Sequence, residues 1–257
     1  MDSNIAATKG LARGRQVRID SILVDDIGFP GAVEAIAAMA SDGTGGYVVT
    51  TNVDYLVRAH RDPEFRRILE GARLRVPDGM GVVYGVRLAG RRLRGTVTGR
   101  LLPEAMAGHA ARPAMALMGG QPGAGERAAS RLRIAGGDVR LATSPPMGFE
   151  IGGTDDAVAV RQLAEAAPQL LFVGLGSPKQ DRWMAHHAAD LPRTVMVGIG
   201  AGIDVLAGMQ PQAPAWMTRV GVEWAYRLMH DPRRLARRYL WDDPRFFWWM
   251  LRDKTGD

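Results

Sequence analysis

The chain contains no cysteine among its 257 residues. This absence excludes a disulfide framework, a thiolate zinc site and a cysteine nucleophile, and it is consistent with a reducing compartment. No stretch is long and apolar enough to span a bilayer. Residues 1–15 are basic but lack an apolar run, so we interpret them as a flexible tail and not as a signal peptide. We therefore expect a cytoplasmic protein.

Two motifs of nucleotide-dependent enzymes are also missing. No Asp-x-Asp triplet occurs, which removes the usual carboxylate pair for a metal that bridges a nucleotide sugar. Neither GLGSPK nor GIGAGI is a dinucleotide fingerprint, since Lys179 stands where a third glycine is needed. His186 and His187 are adjacent and point to different faces of a helix, so we interpret them as solvated residues. The sequence predicts neither bound NAD nor a protein-bound metal.

The composition is that of a folded, basic protein. Hydrophobic residues make up 46% of the chain, which is enough to bury a substantial core in one α/β domain with or without an appendage. The formal charge of +6 favours an anionic partner, namely nucleic acid, anionic lipid or a phosphorylated ligand. The positive charge is concentrated near the carboxyl end.

Short apolar runs alternate with helical stretches along most of the chain. Strands or a hairpin are predicted at residues 16–26, 47–50, 73–76, 114–118, 138–143, 170–174 and 194–198. Helices are predicted at 29–40, 52–60, 62–71, 80–90, 99–110, 126–134 and 155–167, and from about Pro178. This alternation predicts an α/β fold with a Rossmann-like, doubly wound, mostly parallel sheet, helices on both faces and a helical C-terminal appendage.

Polar residues follow two of the predicted strands. Thr50 and Asn52 end the first, and Asp78 follows the second within Pro77-Asp78-Gly79. Ligands of open α/β sheets bind outside the carboxyl ends of the strands, so these side chains can meet over one crevice. Asp78 is equally consistent with a turn residue or with the N-cap of the helix that begins at Met80.

A glycine-rich turn follows the predicted strand at 114–118. Gly119 and Gly120 open the segment GGQPGAG, which lies between that strand and the next helix. Such turns let backbone N–H groups approach a phosphate at a helix N-terminus. An ordinary tight turn between strand and helix explains the same pattern.

The last forty residues combine arginine with aromatic side chains. A basic helical face consists of Arg233, Arg234, Arg237 and Arg238, and the cluster at 246–249 includes Trp248 and Trp249. Arginine beside tryptophan and phenylalanine on short helices is typical of a membrane interface with anionic lipids. Two alternatives are a solvated arginine face whose aromatics pack on the core, and a nucleic-acid surface.

Taken together, seven segments resemble the WecG/TagA/CpsF glycosyltransferase family, also known as glycosyltransferase family 26. The resemblance covers nearly the whole chain after residue 16. Its segments are Thr50-Thr51-Asn52 and residues 76–81 (VPDGMG), 119–123 (GGQPG), 173–181 (VGLGSPKQD), 204–208 (DVLAG), 213–217 (APAWM) and 221–235 (GVEWAYRLMHDPRRL). Asn52-Val53-Asp54 and residues 144–149 lean towards the xanthan-type glucosyltransferase branch.

The resemblance implies an inverting transfer of a hexose, of glucose or N-acetylmannosamine type, from a UDP-sugar to a polyprenyl-diphosphate-linked sugar in cell-surface polysaccharide synthesis. Asp78 matches the general base, with Thr50 and Asn52 beside it. The substrate-binding residues that follow from the matched segments are Gly119, Gly120, Gly176, Lys179, Gln180 and Asp204. Lys179 and the glycine turns would meet the leaving diphosphate, so no metal cofactor is expected.

The expected organisation has three parts: a tail at 1–15, a Rossmann-like core at 16–218 and a membrane-associating appendage at 219–257. The protein would be peripheral on the inner face of the cell membrane, and a homo-oligomer is compatible with the sequence. Three residues depart from the family's R-V-T-G-S-D-L pattern, namely Thr96, Arg100 and Leu101. Competing hypotheses are a soluble nucleotide-binding enzyme or sensor and a basic nucleic-acid-binding module.

Overall fold

The computed structural model describes residues 15–210, 217, 223–230 and 243–253. The first described segment is a two-stranded antiparallel hairpin, β1 (Gln16–Ile19) and β2 (Ile22–Asp25). The predicted tail at 1–15 lies outside the described residues except for Arg15.

Six strands form one parallel sheet. They are β3 (Gly46–Thr51), β4 (Leu74–Pro77), β5 (Met115–Gly119), β6 (Val139–Thr143), β7 (Leu170–Gly174) and β8 (Val195–Gly198). Their spatial order is β4-β3-β8-β7-β5-β6, and every neighbouring pair is parallel. Every residue of β4, β5 and β8 is buried, because helices cover both faces of the sheet.

Helices connect the strands. In chain order they are α1 (Gly28–Asp42), α2 (Val53–Arg61), α3 (Pro63–Gly71), α4 (Met80–Leu88), α5 (Leu102–Ala107), α6 (Ala124–Ile134), α7 (Thr154–Ala166), α8 (Lys179–His186) and α9 (Gly202–Leu206). Two further helices, Glu223–His230 and Asp243–Asp253, follow near the carboxyl end.

The apolar side chains form two cores, one on each face of the sheet. The first core joins the hairpin, α2, α3, α4, α7, α8 and the helix Asp243–Asp253, and its largest buried side chain is Trp183. The second joins α1, α5, α6 and α9. The predicted fold class is therefore confirmed, because strand side chains alternate between these two cores as they do in a doubly wound sheet.

One predicted helix is wrong in its extent. The helix expected at 99–110 is a 3₁₀ turn at Gly99–Leu101 followed by the short α5. Pro103 lies at the start of α5, where its missing N–H costs nothing, and it fixes the beginning of the helix. Gly108 closes the helix by donating its N–H to Glu104 O.

The hairpin anchors the loop that leads into this turn. Asp25 accepts a hydrogen bond from the Arg75 backbone N–H at 2.8 Å, which joins the hairpin to β4. Asp26 accepts one from the Arg94 N–H at 2.5 Å, and the Val97 N–H donates to Pro77 O at 2.7 Å. These bonds fix residues 94–97 beside the end of β4, so the following Gly99 is delivered to the carboxyl edge of the sheet.

The helix Asp243–Asp253 packs on α4 and α2. Phe246 and Met250 are each 1% exposed and face α4, and Trp249 stacks on His60 with ring centroids 4.1 Å apart. Trp248 is 51% exposed, with the Arg252 guanidinium 3.9 Å from its ring centroid. One side of this helix is thus part of the core, while Trp248 and Leu251 face outward.

The arginines of the predicted basic face, Arg233, Arg234, Arg237 and Arg238, lie outside the described residues, as do 211–216 and 218–222. The predicted boundary between residues 218 and 219 therefore stays a prediction. Across the described ranges, no helix combines the length and the apolar character needed to cross a membrane.

Gly85 on α4 leaves the space into which the helix Asp243–Asp253 packs. A Cβ at this position would lie 2.2 Å from Phe246 Cε1 and 3.3 Å from Met250 Cγ. Gly85→Ala should therefore destabilise the protein by about 1–3 kcal/mol through overpacking, although alanine normally favours a helix over glycine. The measurement is chemical unfolding together with amide hydrogen exchange of residues 243–253, which should lose protection.

Gly95→Ala is the matched control, since a Cβ there meets nothing within 4 Å. Equal stability and equal protection of residues 243–253 in both variants would contradict this packing.

Candidate active site

The carboxyl ends of β3, β4 and β8 form one crevice. Thr50 is 5% exposed, and its hydroxyl donates to Gly198 O at 3.1 Å, which ties the end of β3 to the end of β8. Gly99 covers Thr50, since a Cβ on Gly99 would lie 3.0 Å from the Thr50 methyl group. Thr50 is therefore buried beneath the loop at the crevice, and its position suits support of the site more than contact with a ligand.

Asn52 lies immediately beyond β3, as predicted, and it caps α2. Its Oδ1 accepts a hydrogen bond from the Tyr55 N–H at 3.2 Å, in the manner of an N-cap asparagine. The amide nitrogen takes no part in this cap. Asn52 is partly exposed beside the crevice.

Asp78 follows β4 on the same edge of the sheet. Its backbone N–H donates to Thr51 O at 2.8 Å, which places it next to the Thr51-Asn52 end of β3. The N-cap of α4 is Gly79, with φ of 84°, and no side chain caps that helix. The alternative in which Asp78 is the N-cap is therefore wrong. The half-buried carboxylate belongs to the crevice edge.

Gln180 lies under the turn that follows β8. Its side chain is 2% exposed, Oε1 accepts from the Gly200 N–H at 2.9 Å, and Nε2 donates to the Tyr55 hydroxyl at 2.9 Å. A Cβ on Gly198 would lie 2.8 Å from Gln180 Nε2, so only glycine fits there. The predicted residues Thr50 and Gln180 thus meet at Gly198, one through its carbonyl and one against its Cα.

Tyr55 and Asp181 extend this contact and were not predicted. The Tyr55 hydroxyl donates to Asp181 Oδ1 at 3.0 Å, and both side chains are buried. Burial raises the pKa of Asp181 to about 7, against the opposing influence of Tyr55, Ser177 and Arg58. Burial, followed by the charge of Asp181, raises the pKa of Tyr55 well above its ordinary value. Tyr55 therefore keeps its proton and acts as a donor.

The glycine turn after β5 uses two of its backbone donors within the protein. The Gly120 N–H donates to Gly174 O at 3.1 Å, and the Gln121 N–H donates to Asp204 Oδ1 at 2.7 Å. Both donors are thus used within the protein, and Asp204 adds a carboxylate that would repel phosphate. These two contacts are those of an ordinary turn after β5, and a role of Gly119, Gly120 or Asp204 in binding substrate stays a prediction. Asp204 holds this turn to α9.

Lys179 contacts a loop instead of open solvent. Its Nζ donates to Phe149 O and lies 3.5 Å from the centroid of the Phe149 ring. Gly176, with φ of 74°, accepts the Gln180 N–H at 2.8 Å and starts the turn into α8. Neither contact tests a role in binding substrate, which stays a prediction.

His187 corrects the interpretation of the histidine pair. It is 6% exposed, with Nε2 2.9 Å from Asp156 Oδ2 and Nδ1 2.7 Å from Asp190 Oδ2. Asp156 also accepts from the Trp183 indole at 2.6 Å. His187 is therefore a buried structural residue, whereas His186 is exposed as expected. Within the described ranges, no group of three or more acidic or histidine side chains is placed to hold a metal ion.

Comparison with known protein families identifies the family of this chain. The model of the glycosyl transferase WecG/TagA/CpsF family matches residues 17–257. The chain belongs to this family. The resemblance inferred from the seven segments is thus confirmed, and the protein is a glycosyltransferase.

Relatives with named activities support the same assignment. The chain is 29% identical over 196 residues to the N-acetylglucosaminyldiphosphoundecaprenol N-acetyl-beta-D-mannosaminyltransferase of Bacillus subtilis strain 168, and the match covers 75% of each chain. It is 27% identical over 195 residues to the protein of the same name from Staphylococcus aureus strain MRSA252, with 74% of each chain covered. The similarity to these two relatives spans about three quarters of each chain.

Asp181 generates a prediction about stability and pH. An aspartate has a pKa near 3.9 when unfolded, so a folded value of about 7 means that the folded state holds an extra proton between these limits. Stability should fall as pH rises from about 4 to 7 and then level off. Asp181→Asn keeps an acceptor for Tyr55 and should remove this slope, worth on the order of 4 kcal/mol over the whole pH range.

Urea unfolding of both proteins at pH 5 and pH 8 measures the difference. Other titrating groups cancel in the comparison, because both chains share them. Parallel pH dependences in the two proteins would show that Asp181 is ionised in the fold throughout.

Proposed function

We propose that the protein transfers a hexosyl group, with inversion, from a UDP-sugar to a sugar carried on a polyprenyl diphosphate. The named relatives act on N-acetylglucosaminyldiphosphoundecaprenol, which supports an acceptor of this chemical class. The observation that carries the proposal is Asp78, a carboxylate on the carboxyl edge of the sheet that does not cap its helix. Polysaccharide synthesis for the cell surface is the corresponding role.

Asp78 acts as the general base. The acceptor hydroxyl oxygen attacks the anomeric carbon from the face opposite the diphosphate and forms the new glycosidic bond. The bond from the anomeric carbon to the diphosphate oxygen breaks, its electron pair leaves with UDP, and the hydroxyl proton moves to Asp78. Such a base typically contributes about 10²- to 10⁴-fold in rate. Asn52, next along the crevice edge, would orient the substrate hydroxyls.

The leaving diphosphate needs positive charge or hydrogen-bond donors. The turn at Gly119 and Gly120 is a poor candidate, because its Gly120 N–H and the Gln121 N–H already donate within the protein. Arg100 lies on the loop that covers Thr50, and its Cα is 3.3 Å from the position of a Cβ on Gly202. We assign Arg100 to the diphosphate, with Lys179 as a second cation after release from Phe149. No metal takes part in this scheme.

Two observations bear on the donor sugar, and they favour different sugars. The relatives' names support N-acetylmannosamine, whereas Thr96, Arg100 and Leu101 on the crevice loop depart from the pattern that the family resemblance implies. A loop changed at these positions would accommodate a different sugar, and glucose is the alternative that the sequence favours. UDP release from a panel of donors, with synthetic lipid-diphosphate sugars as acceptors, decides between them.

Asp78→Asn should lower turnover by roughly 10² or more while the protein still folds and binds UDP, because the amide keeps the shape and loses the basicity. The measurement is UDP release under saturating donor and acceptor, with UDP affinity determined separately by calorimetry. Running each assay in chelator as well checks the metal-free scheme. Wild-type turnover in the variant would make Asp78 a turn residue and overturn the mechanism.

The C-terminal residues 219–257 are proposed to associate with the membrane. On the helix Asp243–Asp253, Trp248 and Leu251 are 51% and 50% exposed while Phe246 and Met250 face the core. A helix with this division presents tryptophan, leucine and arginine to an interface. Trp249, stacked on His60, contributes through packing more than through lipid contact. The arginines of the basic face supply attraction to anionic headgroups, at about 1 kcal/mol each.

Replacing Arg233, Arg234, Arg237 and Arg238 by glutamine should weaken co-sedimentation with anionic vesicles, most clearly at low salt, because screening already weakens the attraction at high salt. Activity on a short-chain, water-soluble acceptor should stay near normal. A control variant loses the same charge from exposed arginines elsewhere, namely Arg127, Arg133, Arg140 and Arg161. Equal vesicle binding by the two variants would contradict a localised basic surface.

A further inference from the structure

The hydrogen bonds behind Gln180 form a chain with a fixed direction. The Gly200 N–H can only donate, so Gln180 must present Oε1 to it, at 2.9 Å. Gln180 Nε2 then faces the Tyr55 hydroxyl oxygen at 2.9 Å, and the Tyr55 proton is left for Asp181 Oδ1 at 3.0 Å. Each group has one orientation that satisfies its neighbours on both sides.

This chain of bonds is buried throughout. Tyr55 is 3% exposed, Gln180 2% and Asp181 fully buried, so water cannot replace a lost partner without disturbing the packing. Tyr55 comes from α2, which Asn52 caps, and Gln180 and Asp181 come from α8. The bonds thus join the helix after β3 to the helix after β7, and both helices to the turn after β8.

The turn after β8 is what these bonds hold in place. Gly198 accepts the Thr50 hydroxyl, and Gly200 adopts a left-handed φ of 55° with its N–H directed at Gln180. If the Gln180 amide rotated by half a turn, its NH₂ group would face the Gly200 N–H, and two donors would oppose each other. The orientation of this amide therefore determines the backbone conformation on the floor of the crevice.

We infer that Tyr55 and Asp181 are positioning residues of the transfer site, which orient Gln180 and through it the Gly198–Gly200 turn for the nucleotide of the donor. The inference rests on the proposed function, because it takes the crevice as the donor site. Tyr55 and Asp181 themselves do not touch the donor. Removing either should leave the chain folded but raise the donor KM, because the turn samples more than one conformation.

The test compares two tyrosine hydroxyls. Tyr55→Phe removes the central link, and Tyr47→Phe removes a hydroxyl on the same strand–helix layer that donates to Ile68 O, at the opposite end of β3. Tyr55→Phe loses two buried hydrogen bonds and Tyr47→Phe loses one part-buried hydrogen bond, so both should lose stability and Tyr55→Phe should lose more. Only Tyr55→Phe should weaken UDP binding, by about tenfold in calorimetry, and raise the donor KM while leaving the acceptor KM unchanged.

Asp181 provides a second, graded comparison. Asn at this position retains an oxygen that accepts from Tyr55, whereas Leu has a similar volume and no acceptor. UDP should therefore bind severalfold more tightly to Asp181→Asn than to Asp181→Leu, provided that circular dichroism shows both variants folded.

Gln180→Ala distinguishes the positioning role of Tyr55 and Asp181 from the proposal that the crevice binds the donor. If Gln180→Ala weakens UDP binding but Tyr55→Phe does not, or if Tyr55→Phe and Tyr47→Phe weaken it equally, the positioning role is wrong and the donor site stands. If Gln180→Ala binds UDP as the wild type does, the crevice is not the donor site and both proposals fail.

Discussion

The pairing of β3 with β8 is the constraint on which the rest of the site depends. Tyr47 and Val48 lie opposite Met196 and Val197, so two segments nearly 150 residues apart in the chain run side by side inside the sheet. This pairing is what brings Thr50 to Gly198 and Gln180 to α2. Since neither segment can form a crevice alone, the site exists only when the whole sheet has assembled, as is usual for non-local parallel strands.

The sequence predicted most of this architecture because its strands are buried on both faces. Residues 170–174 match β7 without a change of boundary, and the continuous apolar pattern identified β8 within one residue. The positions of Thr50, Asn52 and Asp78 followed from the rule that parallel strands end on one edge. Such inferences succeed where a local pattern and the global fold impose the same arrangement.

The features that sequence reasoning missed all depend on partners distant in the chain. Tyr55 has the spacing of a core residue on α2, and nothing near it in sequence indicates a bond to Asp181. The turn at Gly119 and Gly120 has the composition of a phosphate loop, but Asp204, 83 residues away from Gln121, accepts one of its donors. Likewise, only the approach of α7 places Asp156 against His187 and turns an apparent surface residue into a buried one.

The two buried carboxylates of α7 and α8 differ in whether hydrogen bonds or burial dominates their pKa. Burial opposes the charge on Asp156, but the Gly152 N–H, the Trp183 indole and His187 outweigh it and lower the pKa. Asp156 therefore contributes stability that is present above the unfolded pKa and is lost in strong acid. Burial dominates at Asp181 and raises its pKa, although Tyr55 and Ser177 donate hydrogen bonds to it. Acid therefore weakens the contacts of Asp156 near the carboxyl end of α8, and it favours the protonated form of Asp181 in the first turn of that helix.

The absence of a side chain at Gly85 couples two parts of the molecule that lie far apart in sequence. The ring of Phe246 occupies the space where a side chain would stand, and α4 then runs back to Gly79 and Asp78. From Met80 to Gly85 the helix rises only about 8 Å. The first turns of α4 therefore separate the Asp78 carboxylate from the contact between Gly85 and the C-terminal helix. If the C-terminal helix associates with the membrane as proposed, α4 fixes the distance from the membrane surface at which Asp78 meets a carrier-bound sugar.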